Sequence, residues 1–149
     1  MNIRIAKIED ADSLVEFNQA MAMETEGKRL ESSVLLSGVQ AVFADEKKGF
    51  YIVAEQNQTI IGGLMITFEW SDWRNAWFWW IQSVYILPEF RGQGIYRRLY
   101  EFVLNKANEN TEVCGFRLYV EKENTNARKV YEKLGMEESH YLMFEAMKN

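Results

Sequence analysis

Apolar positions recur at two different periods along this chain, and the order of those periods predicts the elements. Ile3 and Ile5 alternate with polar residues, which predicts a short first strand. Leu14, Phe17, Asn18 and Met21 follow at helical spacing up to Gly27, with Asp10 or Asp12 as the expected cap. Val34, Leu35, Val39 and Val42 predict a second helix over 31–43. Tyr51 to Glu55 reads as a strand, Gln56-Asn57-Gln58 as a turn, and Thr59 to Glu69 as a longer strand. Asp72 to Asn75 makes the next turn. The most apolar run, Trp77 to Ile86, is expected to be a central strand buried on both faces. A helix is predicted over 93–108 and an alternating strand over 116–121. A helix over 124–134 ends at Gly135, and Tyr141 to Met147 is expected to be a last strand. The order is therefore β-α-α-β-β-β-α-β-α-β, an α/β arrangement.

Composition narrows the class. The 149 residues contain no repeat and no Pro/Gly/Ser-rich linker, so a single domain over 1–149 is expected. No apolar run is long enough to cross a membrane, and the N-terminus lacks a signal-peptide core, so no membrane partner is expected. Cys114 is the only cysteine, which excludes an internal disulfide and suggests a cytoplasmic location. A net charge of −5 argues against a nucleic-acid partner and suits a cationic or amine one. One cysteine and one histidine make no zinc site, so no metal is expected. The same scarcity leaves Cys114 and His140 as structural residues rather than members of a nucleophile–base pair.

Chemistry concentrates between the apolar run and the helix after it, in PEFRGQGIYRRL, Pro88 to Leu99. A strand, a tight loop with Gly92 and Gly94, and a helix start follow one another. Glycines there permit φ > 0 and close approach of the backbone to a ligand. The helix start aims free N–H groups and a partial positive charge into the loop, which suits a phosphate or pyrophosphate. A plain surface turn is the alternative. Arg91, Arg97 and Arg98 crowd the helix start, oppose its dipole and call for an anion. The Walker pattern is absent, and the dinucleotide pattern GxGxxG fails because Arg97 stands at its third glycine.

Arg91-Gly92-Gln93-Gly94-Ile95 resembles the pyrophosphate loop of the GNAT superfamily of acetyl-CoA-dependent N-acetyltransferases, usually written Q/R-x-x-G-x-G/A. Tyr96 departs from that pattern, since a small residue is usual there. A second stretch, NTNARKVYEKLGM, resembles the family's C-terminal signature through Asn124, Ala127, Tyr131 and Gly135-Met136. The predicted element order is also the family's. The resemblance implies a mixed, mostly antiparallel sheet of six to seven strands, with a splayed central strand pair and four flanking helices. It implies acetyl-CoA as cosubstrate, held by the loop from Arg91 to Tyr96, by the backbone of Val84, Tyr85 and Ile86, and by Asn124. It implies further that Tyr131 lies near the thioester sulfur. From the residues alone, Tyr131 could equally be a core aromatic, and Asn124 only a cap.

Acetyl transfer from a thioester to an amine needs a neutral amine, a donor for the oxyanion and an acid for the leaving thiolate. Tyr131 can be that acid. Glu24 and Glu26, at the end of the first helix, run against the helix dipole and are candidates for binding an amine; a solvated acidic end is the alternative. Gln82 and Ser83 are polar within an apolar strand. They could relay a proton through water or mark a β-bulge. Of five tryptophans between 70 and 80, alternation sends Trp77 and Trp79 to one face and Trp80 to the other, where core packing or a dimer interface is the default. Trp73, in the turn, is a candidate lid residue that stacks on a cation. The expected function is acetyl transfer to a primary amine, with a small molecule as acceptor and a homodimer as a further expectation. The alternatives are a protein or peptide N-acetyltransferase, an idle acyl-CoA-binding sensor and, more weakly, a nucleotide binder.

Overall fold

The chain begins with β1 (Asn2–Ile5), turns through a short 3-10 segment and enters α1 (Ala11–Glu26) and α2 (Ser32–Ala44). Three strands follow, β2 (Phe50–Gln56), β3 (Thr59–Ser71) and β4 (Ala76–Ile86), then α3 (Ile95–Asn108), β5 (Val113–Arg117) and α4 (Thr125–Lys133). This computed structural model describes all residues from Met1 to Asn149. It contains two compact units, Met1–Leu118 and Tyr119–Asn149.

The first unit is a five-stranded sheet in the order β1-β2-β3-β4-β5, antiparallel except for the parallel pair β4–β5. The β2–β3 hairpin turns through Asn57 and Gln58, both with positive φ, which matches the right-handed twist of the strands it joins. Side chains alternate across the sheet. Tyr51, Val53 and Tyr85 pack with Leu14 and Phe17 of α1 and Val39 of α2. The opposite face carries Ile52, Leu64 and Ile66, fully buried, and an aromatic group of Phe50, Phe68, Trp79 and Phe116 that meets Tyr100 of α3. Ile95, Leu99 and Val103 make the buried stripe of α3. Each side chain so buried stabilises the fold by about 1.5–3 kcal/mol.

Most predicted elements are present, and four expectations are corrected. The strands buried on both faces are β2 and β3, whereas β4 is half-buried from Gln82 to Val84. The reason is its neighbour: β5 pairs with β4 only from Trp77 to Trp80. The fifth strand spans Val113–Arg117 rather than 116–121, because it starts where β4 offers a ladder and stops where that ladder ends. Asp10 stands at the N-cap of α1 but makes no side-chain cap bond there. Its carboxylate instead accepts from Arg4 at 2.7 and 3.1 Å and from the Lys7 N–H at 2.8 Å. The sheet has five strands, not six or seven, and Tyr141 to Met147 forms no strand. Its residues have strand propensity, but a strand exists only where a ladder partner does.

In the second unit, Asn124 caps α4: its side-chain oxygen accepts from the Ala127 N–H at 3.1 Å. Gly135 ends that helix at φ +95°. Every residue from Glu137 to Asn149 is exposed.

Candidate active site

The site is built where β4 stops being an ordinary strand. Register shifts between Gly63 and Met65 of β3, which face Tyr85 and Gln82, and Ser83 adopts φ +52°. This is a β-bulge, one of the two readings that Gln82-Ser83 allowed. A Cβ at Gly62 would lie 3.0 Å from the Tyr85 carbonyl oxygen, so the bulged strand presses close to β3. Because the β4–β5 ladder ends at Trp80 and Arg117, the β5-side edge of Ile81 to Ile86 has no ladder. The strand pair is therefore splayed, and Val84, Tyr85 and Ile86 lie along the opened edge.

That edge leads through Pro88–Phe90 into the glycine loop. Gly92 and Gly94 have φ +77° and +79°, and Gly94 is the N-cap of α3 with no side-chain cap bond. Nothing lies within 4 Å of a Cβ built on either glycine. No backbone or side-chain oxygen accepts from the N–H groups of Gly92, Gln93, Gly94 or Ile95. A concave row of donors at a helix start is thus left open toward an anion. Tyr96 is buried and packs against Tyr100, so its ring points into the protein and away from the loop.

The arginines behave differently from the sequence expectation. Arg91 donates to both oxygens of Glu24 at 3.2 Å and to the Ile86 carbonyl at 2.8 Å. Its guanidinium also lies 5.2 Å from the Tyr85 ring centroid. Burial, then the hydroxyl's bond to Glu24, push the Tyr85 phenol above its ordinary pKa. Arg97 pairs with Glu101 one turn on, and Arg98 donates to the Met1 carbonyl. Each cation has a protein acceptor, so the open donors of the loop are its backbone N–H groups. Two residues expected to serve different ligands, Glu24 and Arg91, are brought together. Glu26 stays at the solvated helix end, 3.8 Å from Lys28.

Gln82 donates to the Thr67 hydroxyl at 2.9 Å. On the same face of β3, β4 and β5 lies a group that sequence reasoning missed. Glu69 accepts from the Trp80 indole and from Arg117, both at 2.8 Å, and the Arg117 guanidinium stacks 3.7 Å over Phe78. The Trp80 bond, against some desolvation and with help from Arg117, keeps the Glu69 carboxyl below its usual range. The signal available was the charge of Glu69 and Arg117 on otherwise apolar strands. Their pairing across 48 positions was not readable. Trp77 and Trp79 share one face and Trp80 the other, as alternation requires. Trp73 is 89% exposed at the turn. In the second unit, Asn124 begins α4 and Tyr131 lies on it; burial raises the Tyr131 pKa, so its phenol is protonated at neutral pH.

Comparison with known proteins then assigns the family. The acetyltransferase (GNAT) family model matches residues 14–136. The chain is a member of the GNAT acetyltransferase family. Its fold is similar to that of a possible acetyltransferase from Clostridium difficile 630, at 44% identity, with 99% and 97% of the two chains covered and a TM-score of 0.91. A predicted acetyltransferase from Clostridium acetobutylicum, solved with acetyl-CoA, shares the fold at 22% identity, 97% and 95% coverage and a TM-score of 0.77. So does an aminoglycoside 6'-N-acetyltransferase from Acinetobacter haemolyticus, at 16% identity, 100% and 99% coverage and a TM-score of 0.79. Among curated proteins none matches the chain. No His/Cys/Asp/Glu group of this GNAT chain could hold a metal ion, and no helix is long and apolar enough to cross a membrane.

Proposed function

We propose that this GNAT chain, acting as one functional domain over 1–149, moves an acetyl group from acetyl-CoA directly to a primary amine of a small molecule. The observation that carries this reading is the continuity of two open donor rows. The unladdered edge of β4 beyond the Ser83 bulge is followed, through Pro88–Phe90, by the open N–H groups at the start of α3. One row suits the amides of a pantetheine arm, as an added strand would be held. The other suits a pyrophosphate, and the space beyond Gly92 and Gly94 admits its close approach.

Acetyl-CoA, when bound, supplies an activated acyl carbonyl. The chain's own groups do the rest. Those backbone N–H groups between Val84 and Ile86 that face away from β3, at alternate positions, orient the thioester and donate to its developing oxyanion. Tyr131 is protonated at neutral pH and donates toward the departing sulfur. Asn124 adds a polar contact to the pantetheine arm. In this scheme the amine enters from the side of the α1 end, where Glu24 and Glu26 are assigned to hold its charge, and Gln82 is assigned to a water-borne proton relay; the carboxylates at the end of α1 and the polar side chain at the bulge support that reading. Trp73 is assigned to the acceptor side as a cation-stacking lid. No covalent enzyme intermediate enters this scheme. A homodimer in the cytoplasm completes the reading.

The test of this reading is ligand-dependent stability. Acetyl-CoA at 100 times its Kd should raise the unfolding free energy by about 2.7 kcal/mol. ATP and NAD should raise it far less. A larger shift with ATP would overturn the assignment of the loop.

A further inference from the structure

Arg91 is the only cation between residues 91 and 96, and its contacts are of unequal strength. Its Nε donates to the Ile86 carbonyl at 2.8 Å, which ties the side chain to the strand-to-loop turn. Its Nη2 donates to both oxygens of Glu24, each at 3.2 Å. Charge-assisted N–H···O bonds settle at about 2.7–2.9 Å, so the pair with Glu24 is long. It is also wet, with the two side chains 47 and 40% exposed, and exposed pairs hold weakly. The next N–H groups along the chain, from Gly92 to Ile95, are the open anion donors of the loop.

Glu24 has a second partner of a different kind. The Tyr85 hydroxyl bonds to the same carboxylate. Tyr85 is 7% exposed, and its ring packs on Phe17 of α1 at 5.4 Å between centroids. The carboxylate therefore has one partner fixed by packing, Tyr85, and one that can leave without disturbing the core, Arg91. As long as Arg91 stays, the charge of Glu24 is cancelled and attracts no further cation.

We propose that Glu24 and Arg91 are an exchange contact that couples the two ligand sites. With acetyl-CoA bound, the Arg91 guanidinium turns from Glu24 to the pyrophosphate beside it, where it meets more negative charge. Glu24, still held by Tyr85, is left uncompensated and takes an alkyl ammonium, the form in which a primary amine arrives at neutral pH. Each ligand then tightens the other by the same factor, as linkage requires. This inference rests on the acetyl-transfer reading and adds to it how the acceptor's cation site is made.

The test uses the full chain and CoA, which binds without turning over. By calorimetry at low salt, Glu24→Gln should tighten CoA about three- to tenfold in the parent and less than twofold in Arg91→Gln, with all variants folded by circular dichroism. Equal tightening in both backgrounds would mean that Glu24 merely repels CoA through space, and would overturn the exchange. The second arm follows methylammonium by its effect on the Glu24 backbone amide in NMR spectra. It should bind several-fold more tightly with CoA present than without, and Glu24→Gln should abolish that gain. The same affinity with and without CoA, or a gain that survives Glu24→Gln, would overturn the coupling while the acetyl-transfer reading stands. A parent chain that binds no CoA would remove that reading and this inference with it.

Discussion

Gly94→Val separates the loop's ligand role from its structural one. Gly94 sits at φ +79°, where a side chain costs about 1–2 kcal/mol, and a β-branched one falls at the upper end. No atom lies within 4 Å of a Cβ there, so no clash adds to that cost. The unfolding free energy should fall by about 1–2 kcal/mol, or about 2–4 °C in Tm for each kcal/mol at this chain length. Binding should suffer far more. The open space beyond Gly94 is where an anion must approach, and the valine methyl groups fill it. Losing even one hydrogen bond to a charged ligand, at about 1.5–3 kcal/mol, is tenfold or more in Kd. Calorimetric titration with acetyl-CoA reads the affinity, and urea unfolding reads the stability. Gly38→Ala, on α2 with open space around it, is the control and should leave the affinity unchanged. A folded Gly94→Val protein that binds acetyl-CoA as tightly as its parent would refute the assignment of the loop.

Three further outcomes are expected. Tyr131→Phe should lower kcat by about 10²-fold with little change in acetyl-CoA affinity, since the hydroxyl acts in the transition state; a parent-like kcat with chemistry limiting would reduce Tyr131 to packing. Asp10→Asn should cost about 2–3 kcal/mol of stability, because the buried carboxylate holds Arg4 and the Lys7 N–H. Burial works to raise the Asp10 pKa, but the Arg4 and Lys7 bonds outweigh it and lower it. The stability it contributes is therefore present above the ordinary carboxylate range and is lost as pH falls through the lowered value, so the Asn variant should lose less in acid; equal acid sensitivity in urea titrations would contradict this. Glu24→Gln should move stability by less than about 1 kcal/mol, since the pair with Arg91 is exposed. It should raise the amine KM and, by freeing Arg91, tighten acetyl-CoA binding a few-fold at low salt; weakened acetyl-CoA binding would show that Glu24 holds the loop in shape.

The sequence carried local information well and pairing information poorly. The glycine loop, the Asn124 cap and the Gly135 stop were legible because each is written within a few residues by turn and cap chemistry. The two faces of Trp77, Trp79 and Trp80 followed from alternation alone. Glu24–Arg91 and Glu69–Arg117 were not legible, because they join strands and helices distant in sequence. The extent of β5 was misjudged for a related reason: alternation over 116–121 reports which residues suit a strand, not where β4 offers one a ladder. Tyr141 to Met147 shows the same limit, since strand propensity does not by itself make a ladder.

The central claim is direct acetyl transfer to an amine. It is tested by incubating the purified chain with acetyl-CoA and a panel of primary amines, including polyamines, amino sugars and a peptide N-terminus. Released thiol and product mass are followed together. The account predicts amine-dependent thiol release, equal in amount to a product heavier by one acetyl group, with a small amine as the best acceptor and no acetylated protein on the path. Tight acetyl-CoA binding with no product for any amine would contradict it and leave a sensor domain; preference for the peptide would contradict the small-molecule acceptor.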